Sequence, residues 1–154
     1  MTTTRRAAPA DRDALAAVVR AQSMFGPDEA AAMEAALDAW AAGAAPEAWL
    51  VHAAPEPLGA AMLGREAMAD RVANLLFVGV RPEGRRAGLG RALVSAAEAA
   101  ARDEGMRMML IDTADVPEMA PARALYEAMG YGAVATVPDY WAEGVAKVTF
   151  SRRL

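Results

Sequence analysis

Val80-Arg81-Pro82-Glu83-Gly84-Arg85-Arg86-Ala87-Gly88-Leu89-Gly90-Arg91-Ala92-Leu93 is the stretch on which the fold turns. The residues on its two sides follow different periods. Before it, Val72 to Val80 is an apolar run holding Leu75, Leu76, Phe77, Val78 and Val80, the pattern of a strand. After it, Leu89, Leu93, Ala97 and Ala100 recur at helical spacing and Gly105 ends the run, which predicts a helix from about Gly88 to Glu104. Strand, glycine loop, helix is a layout for binding phosphate. A helix N-terminus offers unsatisfied N–H groups and partial positive charge. Gly88 and Gly90 stand at the turn, and Arg85, Arg86 and Arg91 bring cations beside it.

Phosphate loops come in several kinds. The dinucleotide fingerprint G-x-G-x-x-G needs a third glycine, and Leu93 occupies that position. The Walker loop ends in G-K-[ST], which is absent here. What remains is R-x-x-G-x-G, read as Arg85, Gly88 and Gly90. Alone, this short pattern fits a plain strand-to-helix turn with solvated arginines equally well.

Working outward toward the N-terminus, Asp11 to about Gln22 reads as a helix with Leu15, Val18 and Val19 on one face. Gly26-Pro27-Asp28-Glu29 starts a second helix, since proline suits the first position and acids suit the N-terminal dipole. Ala30, Met33, Leu37 and Trp40 continue it to Gly43. Trp49 to Ala53 and Leu58 to Gly64 read as a hairpin turned by Pro55-Glu56-Pro57. Toward the C-terminus, Met108 to Ile111 reads as a buried strand and Pro121 to Met129 as a short helix. Tyr131 to Val137 and Val145 to Ser151 read as the last strands, with Asp139-Tyr140-Trp141 in the loop between them. This order predicts a mixed α/β (α+β) domain around one sheet, spanning residues 1–154 without a linker or repeat.

Composition narrows the chemistry. The chain has 154 residues and no cysteine, which excludes disulfides, thiolate catalysis and Cys-ligated zinc. With one histidine, His52, a metal site is not expected. A net charge of −4 argues against nucleic-acid binding and suits a cationic substrate. No apolar run has the length of a membrane span, and Met1 to Arg6 is not followed by a secretory h-region, so the expected compartment is the cytoplasm.

The string from Val80 to Leu93 resembles the acetyl-CoA loop of the GNAT superfamily (GCN5-related N-acetyltransferases). Ala122-Arg123-Ala124-Leu125-Tyr126-Glu127-Ala128-Met129-Gly130-Tyr131 resembles that family's second block, A-x-x-L-Y-x-x-x-G-[FY]. The two blocks stand in the family's order with a strand between them. The resemblance implies a central, mostly antiparallel twisted sheet flanked by about four helices. It implies a metal-free N-acetyltransferase that passes acetyl from acetyl-CoA directly to a primary amine in a ternary complex. Arg85, Arg86, Ala87, Gly88, Leu89, Gly90 and Arg91 would cradle the CoA pyrophosphate. Val78-Gly79-Val80 would pair with the pantetheine arm, and the Val78 N–H would polarise the thioester carbonyl. Gly79 fits either a close backbone approach or relief of core crowding. Tyr126 matches the tyrosine that protonates the departing thiolate, and otherwise reads as a half-buried helix aromatic.

The chain also departs from that pattern. A free lysine amine has a pKa of ~10.4 and must lose a proton before attack. Relatives of the histone type use a glutamate where this chain has Asn74, which can orient a water but cannot act as a base. Asp112, Glu66, Asp70 and Asp139 are the other acids in view, and none stands out. Met119 replaces an asparagine that contacts the CoA arm in many relatives. His52 reads as a strand residue with an ordinary hydrogen bond, and Trp40, Trp49 and Phe77 read as core. Met24, Phe25 and Glu29, on the connection and helix that line the acceptor pocket in relatives, read as core packing or substrate contacts. Asp139-Tyr140-Trp141 would form a second acceptor wall. A non-catalytic acyl-CoA-binding sensor or regulatory module on the same fold is the alternative function. A homodimer is common among relatives, while the acceptor is left open by the fold.

Overall fold

The computed structural model describes residues 3–53 and 57–154. Pro55 and Glu56 of the expected turn lie outside the described residues. In chain order the elements are β1 (Thr4–Arg6), α1 (Arg12–Arg20), α2 (Pro27–Ala41), β2 (Ala48–His52), β3 (Gly59–Arg65) and β4 (Val72–Val80). They continue with α3 (Leu89–Asp103), β5 (Met108–Ala114), α4 (Ala120–Ala128), β6 (Gly132–Ala142) and β7 (Val145–Arg153). The strands form a seven-stranded, mostly antiparallel sheet in the order β1-β2-β3-β4-β5-β7-β6, in a mixed α/β fold with four helices.

By internal contacts the described residues fall into two compact units. One takes the residues up to Gly64 together with Phe77–Ala97. Its core gathers Leu15, Val18 and Val19 of α1, Leu37 of α2, Trp49 and Val51 of β2, Met62 of β3, and Phe77. These are the positions that helical spacing and the apolar runs put inward. Phe77 stacks on Phe25 at 5.8 Å and tilts against Trp49 at 5.9 Å between centroids. Ion pairs Arg20–Glu34 and Arg12–Asp38 tie α1 to α2 on the outside. His52 is buried and hydrogen-bonds Thr4 across the β1–β2 pair, an ordinary strand histidine.

The second unit takes Arg65–Leu76 and Glu98–Leu154. Here β4 runs parallel to β5 from Val72↔Met108 to Leu75↔Ile111, where the register ends. β5 pairs antiparallel with β7 along its full length. β5 is longer than Met108 to Ile111 and alternates, with Met109, Ile111 and Thr113 buried between half-buried neighbours. That is the signature of a strand with two different faces, not of one apolar throughout. Glu98 of α3 is 4% exposed yet satisfied. It accepts from Tyr131 Oη at 2.8 Å and from Arg152 Nη1 at 2.9 and 3.0 Å, with Arg102 at 3.6 Å.

β6 corrects one expectation. Asp139-Tyr140-Trp141 is not a loop: β6 continues to Ala142 through a register shift between Val137 and Ala142. Pro138 lacks an N–H, and Asp139 takes a positive φ of 55°, so the strand absorbs both residues as an irregularity. Tyr140 and Trp141 are held in place. Their rings meet edge to face at 4.8 Å, Trp141 Nε1 donates to the Thr113 carbonyl at 3.2 Å, and Lys147 Nζ lies 4.0 Å over the Tyr140 ring.

Candidate active site

The loop that opened the sequence reading keeps its expected form in the first unit. β4 ends at Val80, residues 82–84 make one 3₁₀ turn, and α3 begins at Leu89. Arg81 N–H donates to the Leu58 carbonyl at 2.7 Å, which pins the strand end. Gly84 N–H and Arg85 N–H donate back to Arg81 and Pro82. The first bond into α3 is Ala92 N–H to the Gly88 carbonyl at 3.1 Å. Between Arg85 and Ala92 no backbone N–H donates to a protein acceptor among the described residues. Arg86, Ala87, Gly88, Leu89, Gly90 and Arg91 therefore present consecutive unspent donors.

The backbone bends to present them. Arg86 has φ 64° and Gly88 φ 77°, so two left-handed residues flank Ala87. Alternating hands turn successive N–H groups toward one side, the geometry of an anion nest. At Gly88 a side chain would be strained by that φ although nothing lies within 4 Å of its would-be Cβ. Arg86 takes the same conformation with a side chain and carries that strain. Arg85, Arg86 and Arg91 are exposed and without an ion pair among the described residues, while Arg85 Nε reaches the Val80 carbonyl at 3.4 Å. Backbone donors, a helix dipole and three guanidiniums suit a pyrophosphate.

Upstream of the loop, side chains crowd the space beside Gly79. A Cβ there would stand 2.6 Å from Phe77 Cζ and 2.9 Å from Gln22 Cδ. The Gln22 carboxamide occupies that space and donates to the Val18 carbonyl at 2.9 Å and the Val80 carbonyl at 3.4 Å. Gln22 was not singled out from the sequence; a polar residue just past α1 carries no signal of its partner. Phe25 packs in the core on Phe77, whereas Met24 and Glu29 are exposed.

Tyr126 lies in the second unit on α4. It is 2% exposed, edge-on to Phe150 at 5.7 Å and to Tyr131 at 6.3 Å. It is thus more deeply set than a half-buried helix aromatic. Burial pushes its phenol up to about 12, so it holds its proton at neutral pH. Tyr131 is shifted in the same direction, first by burial and then by its bond to Glu98. The two differ in partners. Tyr131 donates to Glu98, while the Tyr126 hydroxyl has no protein partner among the described residues. Buried tyrosines ordinarily find one.

Asn74 is buried on β4, and its Nδ2 donates to Glu66 Oε1 at 2.8 Å and to Asp112 Oδ2 at 3.4 Å. Of the acids named from the sequence, these two converge on it. Asp70 instead pairs with Arg71 and Arg107, and Asp139 accepts from the Gly144 N–H. Among the described residues no group of three His, Asp or Glu could hold a metal ion. No helix among them is long and apolar enough to cross a membrane.

Comparison with known proteins places this arrangement. The sequence profile of the Acetyltransferase (GNAT) family matches residues 16–131. A GNAT-family protein of Desulfovibrio desulfuricans has a similar structure, with a TM-score of 0.91 and 24% identity over 99% of each chain. The ribosomal-protein-S18-alanine N-acetyltransferase of Escherichia coli aligns with a TM-score of 0.79 and 17% identity, over 99% of this chain and 94% of that one. The yncA protein of Salmonella typhimurium, solved with its cofactor acetyl-CoA, aligns with a TM-score of 0.78 and 21% identity, over 100% of this chain and 94% of that one. No curated protein sequence matches significantly. With its glycine loop and its Tyr126 block both inside the matched span, the chain belongs to the GNAT acetyltransferase family.

Proposed function

We propose that the protein is an N-acetyltransferase that moves acetyl from acetyl-CoA to a primary amine by direct attack. The observation that carries this reading is the run of N–H donors from Arg86 to Arg91 without a protein acceptor among the described residues, set among three exposed arginines. A pyrophosphate needs what that loop supplies. The acetyl-CoA in the structurally similar Salmonella protein supports the choice of CoA. β4 continues past its last pair with β5, from Leu76 to Val80, and this length of strand is where the pantetheine arm would lie. There the Val78 N–H would meet the thioester oxygen as it gains charge, and a preorganised donor stabilises that charge.

Tyr126 is the proton donor in this reading. Its raised pKa keeps the phenol neutral, and its unpartnered hydroxyl is available to the leaving thiolate. The absence of cysteine fits attack without a covalent enzyme intermediate. Asn74, standing where relatives of the histone type have a glutamate, favours a second reading as a non-catalytic acyl-CoA-binding module. Tyr126→Phe separates the two. Equal affinity for acetyl-CoA with turnover lower by roughly 10²-fold or more supports the enzyme, the size expected for a general acid. Acetyl-CoA binding without turnover in either protein supports the module.

A further inference from the structure

The helix that carries Tyr126 begins without the usual fastening. The N-cap of α4 is Met119, whose apolar side chain makes no capping bond. Arg123 is the fourth of the nine residues of α4, near its positive end, where the helix dipole disfavours a cation. Its partners explain why it stands there. Arg123 Nη1 donates to the Ala114 carbonyl at 2.7 Å and to the Val116 carbonyl at 3.0 Å, and Nη2 lies 3.8 Å from Asp115 Oδ1. Two charge-assisted bonds outweigh one unfavourable dipole contact. Ala114 occupies a particular place in the sheet. Asp115 N–H donates to the Ala146 carbonyl of β7 at 3.0 Å. Successive residues of an antiparallel ladder turn their backbone groups to opposite edges, so the Ala114 carbonyl turns to the other edge of β5. That is the edge where β4 pairs from Val72↔Met108 to Leu75↔Ile111. Ala114 lies three residues past the last of these pairs, and the Arg123 guanidinium supplies the donor there.

One side chain thus ties the open end of β5, the β5–α4 connection and α4 together. Among the described residues no other side-chain hydrogen bond joins α4 to β5 or to that connection. Tyr126 follows Arg123 by three positions, on the same side of the helix. Its ring is packed edge-on to Phe150 and Tyr131, yet its hydroxyl has no protein partner among the described residues. No bond at the hydroxyl therefore fixes where it stands; the seating of α4 against β5 does. We propose that Arg123 is a positioning residue for the proton donor, setting the place of α4 on the end of β5 and with it the place of the Tyr126 hydroxyl. The catalytic consequence rests on the acetyl-transfer reading above, whereas the positioning itself does not. A proton donor acts within hydrogen-bond reach of the group it serves, and a misplacement of about 1 Å can cost on the order of 100-fold in rate.

The first test needs no turnover. Ring-to-ring NOEs are compared between wild type and Arg123→Ala, with the Tyr126 signals assigned by their loss in Tyr126→Phe. The NOEs between Tyr126 and Phe150 are expected to weaken in Arg123→Ala, while those between Tyr140 and Trp141 stay as they are. Unchanged Tyr126 NOEs overturn the positioning role. Arg123→Gln, which falls short of both carbonyls, replaces Arg123→Ala if that variant unfolds. The second test is a double-mutant cycle on thiol release. Arg123→Ala is expected to lower kcat by about 10- to 100-fold with KM for acetyl-CoA within about twofold, and Arg123→Lys to recover part of the loss. In the Tyr126→Phe background the same change is expected to cost less than about twofold, because residues that act through one another are not additive. A general weakening of the fold would cost both backgrounds alike, so equal losses overturn the assignment. If the wild-type protein releases no thiol with any amine, the acetyl-transfer reading fails, and the ring NOEs still decide what Arg123 holds in place.

Discussion

Replacing Gly79 with alanine tests the link between packing and the strand end that the thioester is proposed to meet. The added methyl would stand 2.6 Å from Phe77 Cζ and 2.9 Å from Gln22 Cδ. Phe77 cannot retreat, because it is buried between Phe25 and Trp49. Gln22 can move, at the loss of its bonds to the Val18 and Val80 carbonyls. Gly79 has no positive φ, so backbone strain adds nothing and the cost is steric. Overpacking costs about 1–3 kcal/mol and the net loss of a hydrogen bond about 1 kcal/mol, roughly 2–4 kcal/mol together. For a chain of this size that lowers Tm by roughly 5–12 °C. Thermal unfolding measures this, and calorimetric titration with acetyl-CoA is expected to show weaker binding to the variant. Gln22→Ala in the Gly79→Ala background should recover the part of the loss due to Gln22 and leave the part due to Phe77. A variant within about 0.5 kcal/mol of wild type that binds acetyl-CoA equally well would refute the crowding at Gly79.

Three further outcomes follow from the same geometry. Burial pushes the Tyr126 phenol up to about 12 in the folded chain from its ordinary 10.0, so the unfolded chain loses its proton first as pH rises. Its contribution to stability is complete below pH 10 and declines by about 1.4 kcal/mol per pH unit up to about pH 12; urea unfolding should show a shallower decline in Tyr126→Phe, with the share due to Tyr131 remaining. Arg152→Leu leaves buried Glu98 with Arg102 at 3.6 Å and the Tyr131 hydroxyl, and should cost about 3 kcal/mol by urea unfolding, much of it restored by adding Glu98→Gln. Gly88→Ala meets no atom, so only its φ of 77° costs stability, about 1 kcal/mol. The same methyl stands among the loop N–H groups and should weaken acetyl-CoA binding by about tenfold, the worth of one charge-assisted hydrogen bond.

What the sequence made legible was whatever depends on neighbours along the chain. β4 is read residue for residue from Val72 to Val80, and the α3 limits differ by one position at each end. The free donors of the loop follow from a helix start after glycine, which needs no tertiary knowledge. β1 was not visible, because Thr4–Arg6 is short and polar and becomes a strand only by pairing with β2. Pro138 and Asp139 read as a loop because the turn signal is local, whereas the pairing with β7 that carries β6 past them is not. The acid pair around Asn74 was out of reach for the same reason. Glu66, Asn74, Asp112 and Thr149 come from four separate segments, and only strand register brings them together.

In the proposed reaction the Arg85 to Arg91 loop makes acetyl-CoA the donor for transfer to an amine. Thiol release from acetyl-CoA, followed with a broad panel of primary amines that includes peptide N-termini, tests it most directly. Amine-dependent thiol release is expected, with one acetyl group gained by the amine in the mass spectrum. Binding of acetyl-CoA is predicted to exceed that of ATP or NAD. Absence of amine-dependent release across the panel, or tighter binding of ATP or NAD than of acetyl-CoA, would contradict it.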